Sequence, residues 1–323
     1  MQNKTFRILT LLFVLSMVTA CAQNNNYVSD VENQRKSEYS KKKISETLLI
    51  DATKLASDLR ALSHDSLQGR LPGSQGSVMA QKYIIKRMQE FNVGNFNNSY
   101  LQKFPLGKVE GSNIVGIIPG SKFPDSCIVI SAHYDHLGIK NDKIYNGADD
   151  NASGVCGLLA MLEYFSKNKP ENSLIFCFFD AEESGLKGAK HFVDNLPVKQ
   201  SVVKMNMNLD MISRNDKHDE IIICGTNFNP QLRKALEPLS ASTNAAIIFG
   251  YDRDFIGNKL EDWTSGSDHY VFHKKGIPFL YFGVEEHPDY HGPDDDFEKI
   301  DTKFYASVVN LITRAVIVFD IKN

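Results

Sequence analysis

The sequence predicts an α/β fold, a three-layer α/β/α sandwich in which helices cover both faces of one central sheet. Two observations carry this expectation. Strand-like and helix-like segments alternate along the chain, and several strand-like ones are nearly continuous apolar runs, such as Ile175-Phe176-Cys177-Phe178-Phe179. Such runs belong to strands buried on both faces. Residues 46–323 carry no internal repeat and no visible break, and are long enough for one domain with a substantial core.

Taken in order, Ala52 to Leu62 and Ser77 to Phe91 have helical apolar spacing, and the second follows the turn-rich Gly69-Arg70-Leu71-Pro72-Gly73-Ser74-Gln75-Gly76. Strands are expected at Ser112 to Ile118, Ile128 to Ala132, Leu174 to Phe179, Met205 to Met211, Glu220 to Cys224, Ala246 to Phe249 and Pro278 to Phe282. Gly154 to Phe165, Pro230 to Ser242 and Thr302 to Phe319 read as helices.

The first residues are set apart from the fold. Lys4 and Arg7 precede an apolar run from Ile8 to Val18 that ends at Thr19-Ala20-Cys21. That run is shorter than the roughly 20 residues of a membrane span, so residues 1–20 read as a signal peptide for export. A Cys directly after small residues resembles a bacterial lipobox, which implies cleavage before Cys21, a lipid on its thiol, and anchorage on the periplasmic side of a membrane, the outer one being expected. The alternative is an ordinary secretory signal cut near Ala22. Residues 21–45, poor in bulky apolar side chains, are expected to be a flexible tether, with Lys41-Lys42-Lys43 solvated.

Losing Lys4 and Arg7 takes the basic side chains from 36 to 34 against 39 acidic ones, and the formal charge from −3 to −5. A mildly acidic chain lacks the electrostatic footprint of a nucleic-acid binder. Cys127, Cys156, Cys177 and Cys224 sit inside apolar runs without CxxC spacing, and read as buried free thiols.

Candidate ligands gather at the ends of the apolar runs, where open α/β sheets build their sites. Ile128 to Ala132 runs into His133-Tyr134-Asp135, and a carboxylate two residues past an imidazole can take its second ring N–H. A lone strand-end His is more often structural; its neighbours decide. Asp149-Asp150-Asn151 before an apolar helix is either an N-cap loop or the bridging acid that a pair of cations needs, with glycines on both sides allowing sharp turns. Glu182-Glu183 after Phe176 to Asp180 can divide metal binding from proton transfer. Asp210, inside an apolar strand, requires a buried partner, either a metal or a cation such as Arg214. With His291, the set reads as a two-metal hydrolytic site.

The ordered set resembles peptidase family M28, the zinc aminopeptidases that share a fold with glutaminyl cyclases. The likeness runs from about Leu55 to the C-terminus and includes Gly69-Arg70-Leu71-Pro72-Gly73-Ser74, Ser267-Asp268-His269 and Gly276-Ile277-Pro278. It implies a mostly parallel, mixed central sheet and two Zn²⁺ ions, with His133 and Asp210 on one, Glu183 and His291 on the other, and Asp150 bridging. It further implies that Asp135 orients His133, that Glu182 is the general base, and that the peptide after Asp150 is cis. Tyr290 matches a phenol that contacts the oxyanion in some members; a surface-packed tyrosine is the alternative.

Asp294-Asp295-Asp296 and Glu298 are expected to be solvated or to cap the last helix, and His136, His269, His273 and His287 stay outside the ligand set. The implied activity is release of N-terminal residues from peptides with a free N-terminus, by a metal-activated water. Alternatives of the same fold are a glutaminyl-peptide cyclotransferase, which works with one zinc, and a silent binding protein. Specificity is expected to depend on the segments around Phe96 to Phe104 and Phe249 to Trp263.

Overall fold

The computed structural model describes residues 31–321 except 217, 253, 257 and 258, so the expected signal peptide over residues 1–20, Cys21 and residues 22–30 lie outside the described residues. Residues 31–39 form a helix (α1). Over residues 31–39 the chain is therefore helical where a flexible tether was expected. Val31 is 1% exposed, packed with Ile222, Ile248 and Tyr251. An isolated apolar residue among polar ones gives no helical period, which is why this element was illegible in the sequence.

The helices that follow are α2 (Ala52–Leu62), α3 (Gln75–Glu90), α4 (Gly154–Lys167), α5 (Lys187–Asp194), α6 (Pro230–Leu236), α7 (His269–Lys274) and α8 (Thr302–Asp320). The expected helix from Pro230 to Ser242 tightens to 3-10 geometry over Glu237–Ser242. Caps mark several starts: Asp51 accepts from the Lys54 amide, Ser74 from that of Ser77, and Asp301 from those of Lys303 and Phe304.

Eight strands make the central sheet: β1 (Leu101–Leu106), β2 (Val109–Ile118), β3 (Phe123–His133), β6 (Asn172–Phe179), β7 (Val203–Leu209), β8 (Glu220–Cys224), β9 (Ala246–Phe249) and β12 (Phe279–Gly283). Two short hairpins lie outside it, β4–β5 (Gly138–Lys140, Lys143–Tyr145) and β10–β11 (Asp254–Ile256, Lys259–Glu261). The strand order is β1-β2-β6-β3-β7-β12-β8-β9, with β6, β3, β7 and β12 mutually parallel and antiparallel pairs at β1–β2, β2–β6 and β12–β8. This is the mostly parallel mixed sheet that was expected.

The two-residue side-chain period divides the core. Ile128, Ile130, Leu174, Phe176 and Phe178 face α2, α3, α4 and α8, whereas Val129, Ile175, Cys177 and Phe179 face Phe192 of α5 and Phe272 of α7. Cys127, Cys156, Cys177 and Cys224 are buried free thiols.

Candidate active site

The four adjacent parallel strands β6, β3, β7 and β12 deliver their carboxyl ends to one edge of the sheet, and the site lies there. His133 is the last residue of β3, Asp210 follows β7 directly, Glu182 and Glu183 occupy the turn after β6, and His291 follows β12. Asp150 comes from the turn that leads into α4, and its peptide bond to Asn151 is cis. Gly147 shapes this turn: its φ is 56°, and a Cβ there would collide with the Asp150 carbonyl.

Two groups of ligand atoms result, sharing one carboxylate. His133 Nε2 lies 3.3 Å from Asp210 Oδ1 and 3.4 Å from Asp150 Oδ1. On the other side His291 Nε2 lies 3.1 Å from Asp150 Oδ2 and 3.2 Å from Glu183 Oε2. Ligand atoms bound tetrahedrally to one zinc at about 2.0–2.1 Å stand roughly 3.3 Å apart, so the nitrogen–oxygen donor set and both spacings suit that ion. Asp150 turns one oxygen to each group, the disposition a bridging carboxylate requires. Asp149 points elsewhere: its Oδ1 accepts from the Ser213 amide and hydroxyl, and its Oδ2 lies 3.3 Å from His287 Nε2. Nor does Arg214 serve Asp210, since its guanidinium pairs with Asp216 and Asp289.

Asp135 contacts both His133 and the Glu182–Glu183 turn. Its carboxylate accepts from the backbone amides of Glu182 and Glu183 at 3.0 and 3.3 Å, while His133 Nδ1 meets the Asp135 carbonyl at 3.1 Å and its carboxylate at 3.5 Å. One buried side chain thus fixes the ends of β3 and β6 relative to each other. Ala181, Met211 and His291 all have positive φ, between 53° and 58°. Such non-glycine conformations cost of order 1 kcal/mol each and collect where surrounding structure imposes them.

The electrostatics follow from crowding acids and imidazoles. Burial alone would raise Asp150, but His136, His133 and His291 hold it well below the ordinary carboxylate range. Burial would raise Glu183 as well, but its contacts with His136 and His291 bring it down to about 2. Glu182 goes the opposite way. Burial lifts it well above the usual range; His133 opposes this, and Asp268, Asp210 and Asp135 add to it.

Three features were not read from the sequence. His136, fully buried, places Nδ1 2.9 Å from Glu183 Oε1 and 3.8 Å from Asp150 Oδ2, so it belongs to the second group's surroundings; its position directly after Asp135 was the available signal. Asp295, expected in solvent or at a helix cap, is fully buried and accepts from the Asp149 and Asp150 amides at 3.0–3.1 Å. Burial, then Asp149, pushes its carboxyl up to about 6. Arg70, 1% exposed, donates to four carbonyls, those of Leu62, Tyr134, Asn146 and Gly147. It ties the turn before Asp150 to the end of β3. Arg70→Ala orphans four acceptors, each worth about 1 kcal/mol, and is expected to lower stability by about 4 kcal/mol in denaturant unfolding; a loss below about 1 kcal/mol would show that water replaces the guanidinium.

A cavity of about 500 Å³ opens onto both groups, lined by Glu182, Tyr290, Tyr251, Glu261, Trp263 and Glu285 among others. Of the two segments expected over the site, Phe249 to Trp263 contributes to this wall, whereas residues 96–104 do not line it. Tyr290 stacks on His291 with ring centroids 3.9 Å apart.

The sequence profile of Peptidase family M28 matches residues 113–316, a stretch holding every candidate ligand. The chain belongs to peptidase family M28. Aminopeptidase YwaD of Bacillus subtilis (strain 168) is 32% identical over 216 residues, covering 63% of this M28 chain and 44% of the relative, so the match spans less than half of that protein. The glutaminyl-peptide cyclotransferase of Bos taurus is 25% identical over 279 residues, covering 76% of this chain and 75% of that one. In fold, the M28 chain resembles the crystal structure of BSAP, a zinc aminopeptidase from Bacillus subtilis, with a TM-score of 0.68 at 18% identity, over 86% of this chain and 97% of the other.

Proposed function

We propose that this M28 member is an exported, zinc-dependent aminopeptidase with two ions per chain. The observation that carries the reading is the pair of ligand groups sharing Asp150. His133 and Asp210 would hold one zinc and Glu183 and His291 the other, and bound there the ions supply an acidified water and polarisation of the scissile carbonyl.

The protein's own groups do the rest. Glu182, beside that centre, accepts the water's proton and passes it to the leaving amine, for which a raised proton affinity is suited. Asp135 keeps the Glu182–Glu183 turn in register with His133. Tyr290, half-buried on the cavity wall, donates its hydroxyl to the developing oxyanion. The acid-lined cavity favours a free α-ammonium, which orients the scissile bond.

The test is a panel of unblocked and N-acetylated peptides. Unblocked peptides are expected to release free amino acids, and acetylated ones to be nearly inert. Likeness to the bovine glutaminyl-peptide cyclotransferase supports a second reading; cyclisation of N-terminal glutamine without cleavage would establish it. Zinc loading with neither activity would leave a binding protein.

The same proposal takes residues 1–20 as a lipoprotein signal and residues 46–323 as the catalytic domain, with the lipid on Cys21 anchoring the protein to the periplasmic face of a membrane. Cys21→Ser is then expected to move the protein to the soluble periplasmic fraction or to block processing. Unchanged membrane association with another mature N-terminus would overturn this.

A further inference from the structure

Helix α1 touches the substrate cavity through three of its lining residues. Val31 shares a buried cluster with Tyr251, and Trp263 packs against that cluster. Arg35 donates to the Glu285 carboxylate and to the Tyr251 hydroxyl, both at 3.2 Å, and that hydroxyl donates in turn to Glu285 at 2.6 Å. Tyr251, Trp263 and Glu285 all line the cavity that opens onto the ligand groups.

The other side of the guanidinium is held in the sheet. Arg35 Nε and Nη2 reach the two Glu220 oxygens at 2.9 and 3.1 Å, and Gln34 exchanges hydrogen bonds with the backbone of Phe249, its Oε1 accepting at 3.0 Å and its Nε2 donating at 3.3 Å. Glu220 and Phe249 belong to β8 and β9, so the helix is fastened to strands rather than to a loop.

We propose that α1 backs a wall of the substrate cavity from outside and that Arg35 is a positioning residue for substrate binding. The inference rests on the aminopeptidase reading for its substrate, and on the contacts alone for its geometry. One guanidinium nitrogen lies within 3.1–3.2 Å of both a Glu220 and a Glu285 oxygen. Two carboxylates so close repel unless a cation stands between them. Glu220 is 7% exposed and anchored in the sheet, whereas Glu285 is 32% exposed, so of the two carboxylates Glu285 is the one with room to shift when Arg35 is replaced, which loosens the acceptor of the Tyr251 hydroxyl. That part of the cavity wall is disturbed, while the ligand groups, which Arg35 does not touch, keep their positions.

Trp263 is the chain's single tryptophan, so its fluorescence reports this wall directly. The experiment compares the full zinc-loaded chain with Arg35→Gln, Arg35→Lys and the Arg35→Gln/Glu220→Gln pair, using leucinamide as substrate and as titrant of Trp263 emission. Arg35→Gln is expected to raise KM and the leucinamide Kd about tenfold, the effect of one lost charged contact, with kcat within about twofold, zinc content unchanged and emission shifted to the red. Arg35→Lys should fall between, and removing the repelling partner in the double variant should recover most of the affinity. Unchanged Kd in Arg35→Gln, or a loss of kcat and zinc at constant Kd, overturns the proposal. A wild-type chain that binds leucinamide without hydrolysing it defeats the aminopeptidase reading alone, and the binding comparison still decides the role of Arg35; a wild-type chain that does not bind leucinamide overturns both.

Discussion

Glu182→Gln is expected to keep zinc and lower kcat by about 10²–10⁴-fold, the range attributed to a positioned general base. The amide has nearly the carboxylate's shape, and the turn itself is held through the backbone amides of Glu182 and Glu183 on Asp135, which the substitution leaves intact. Glu183→Gln differs in kind. Its carboxylate faces His291 Nε2 at 3.2 Å and His136 Nδ1 at 2.9 Å, so the change removes an anionic donor from one ligand group and should release metal. Metal analysis beside steady-state rates separates the two. Equal zinc loss in both variants, or full activity in both, would refute the division of labour.

Chelation should take activity to background, and about two equivalents of Zn²⁺ should restore it. Asp150→Asn should prevent the restoration, because the shared carboxylate is replaced by a neutral group at the junction of both ligand groups. Rebinding also carries a proton signature. Hydrogen bonds to Asp150, then to Glu183, push His291 up to about 10. Its pKa lies above the ordinary histidine value, so the imidazolium persists through the neutral range, while ligation needs the neutral ring. Zinc uptake therefore expels a proton, and affinity climbs as pH rises toward that value. Calorimetry in two buffers of different ionisation enthalpy measures the release; uptake with no proton exchange would contradict it.

What the sequence shows about this site depends on where each residue stands relative to a strand. His133 is visible because it ends a long apolar run, Asp210 because it is an acid inside one, and Glu183 because it follows one. Asp295 and Arg70 are invisible for the converse reason: an acid in an acidic tail and an arginine in a turn-rich loop look solvated until tertiary packing buries them. Asp149 and Asp150 are chemically identical neighbours, and only the turn at Gly147, with Ser213 and His287 on one side and the ligand imidazoles on the other, gives them different tasks. The sheet was legible in its core strands, since burial on both faces writes itself as apolar runs. Edge strand β1 and the short α5 and α7 were not, because they are brief and bury a single side.

Ligand groups assembled from residues 133, 150, 183, 210 and 291 bring together points up to 158 positions apart in the chain. No single supersecondary unit holds even one complete group, so each closes only after long-range strand pairing has formed. A partly folded chain then offers zinc isolated imidazoles and carboxylates, whose hold on the ion is weak. A metal bound there would act as a coincidence detector for finished topology: it would deepen the native basin by mass action while leaving the ascent to that basin unassisted. In rate terms, adding zinc should slow unfolding and leave the refolding rate nearly unchanged.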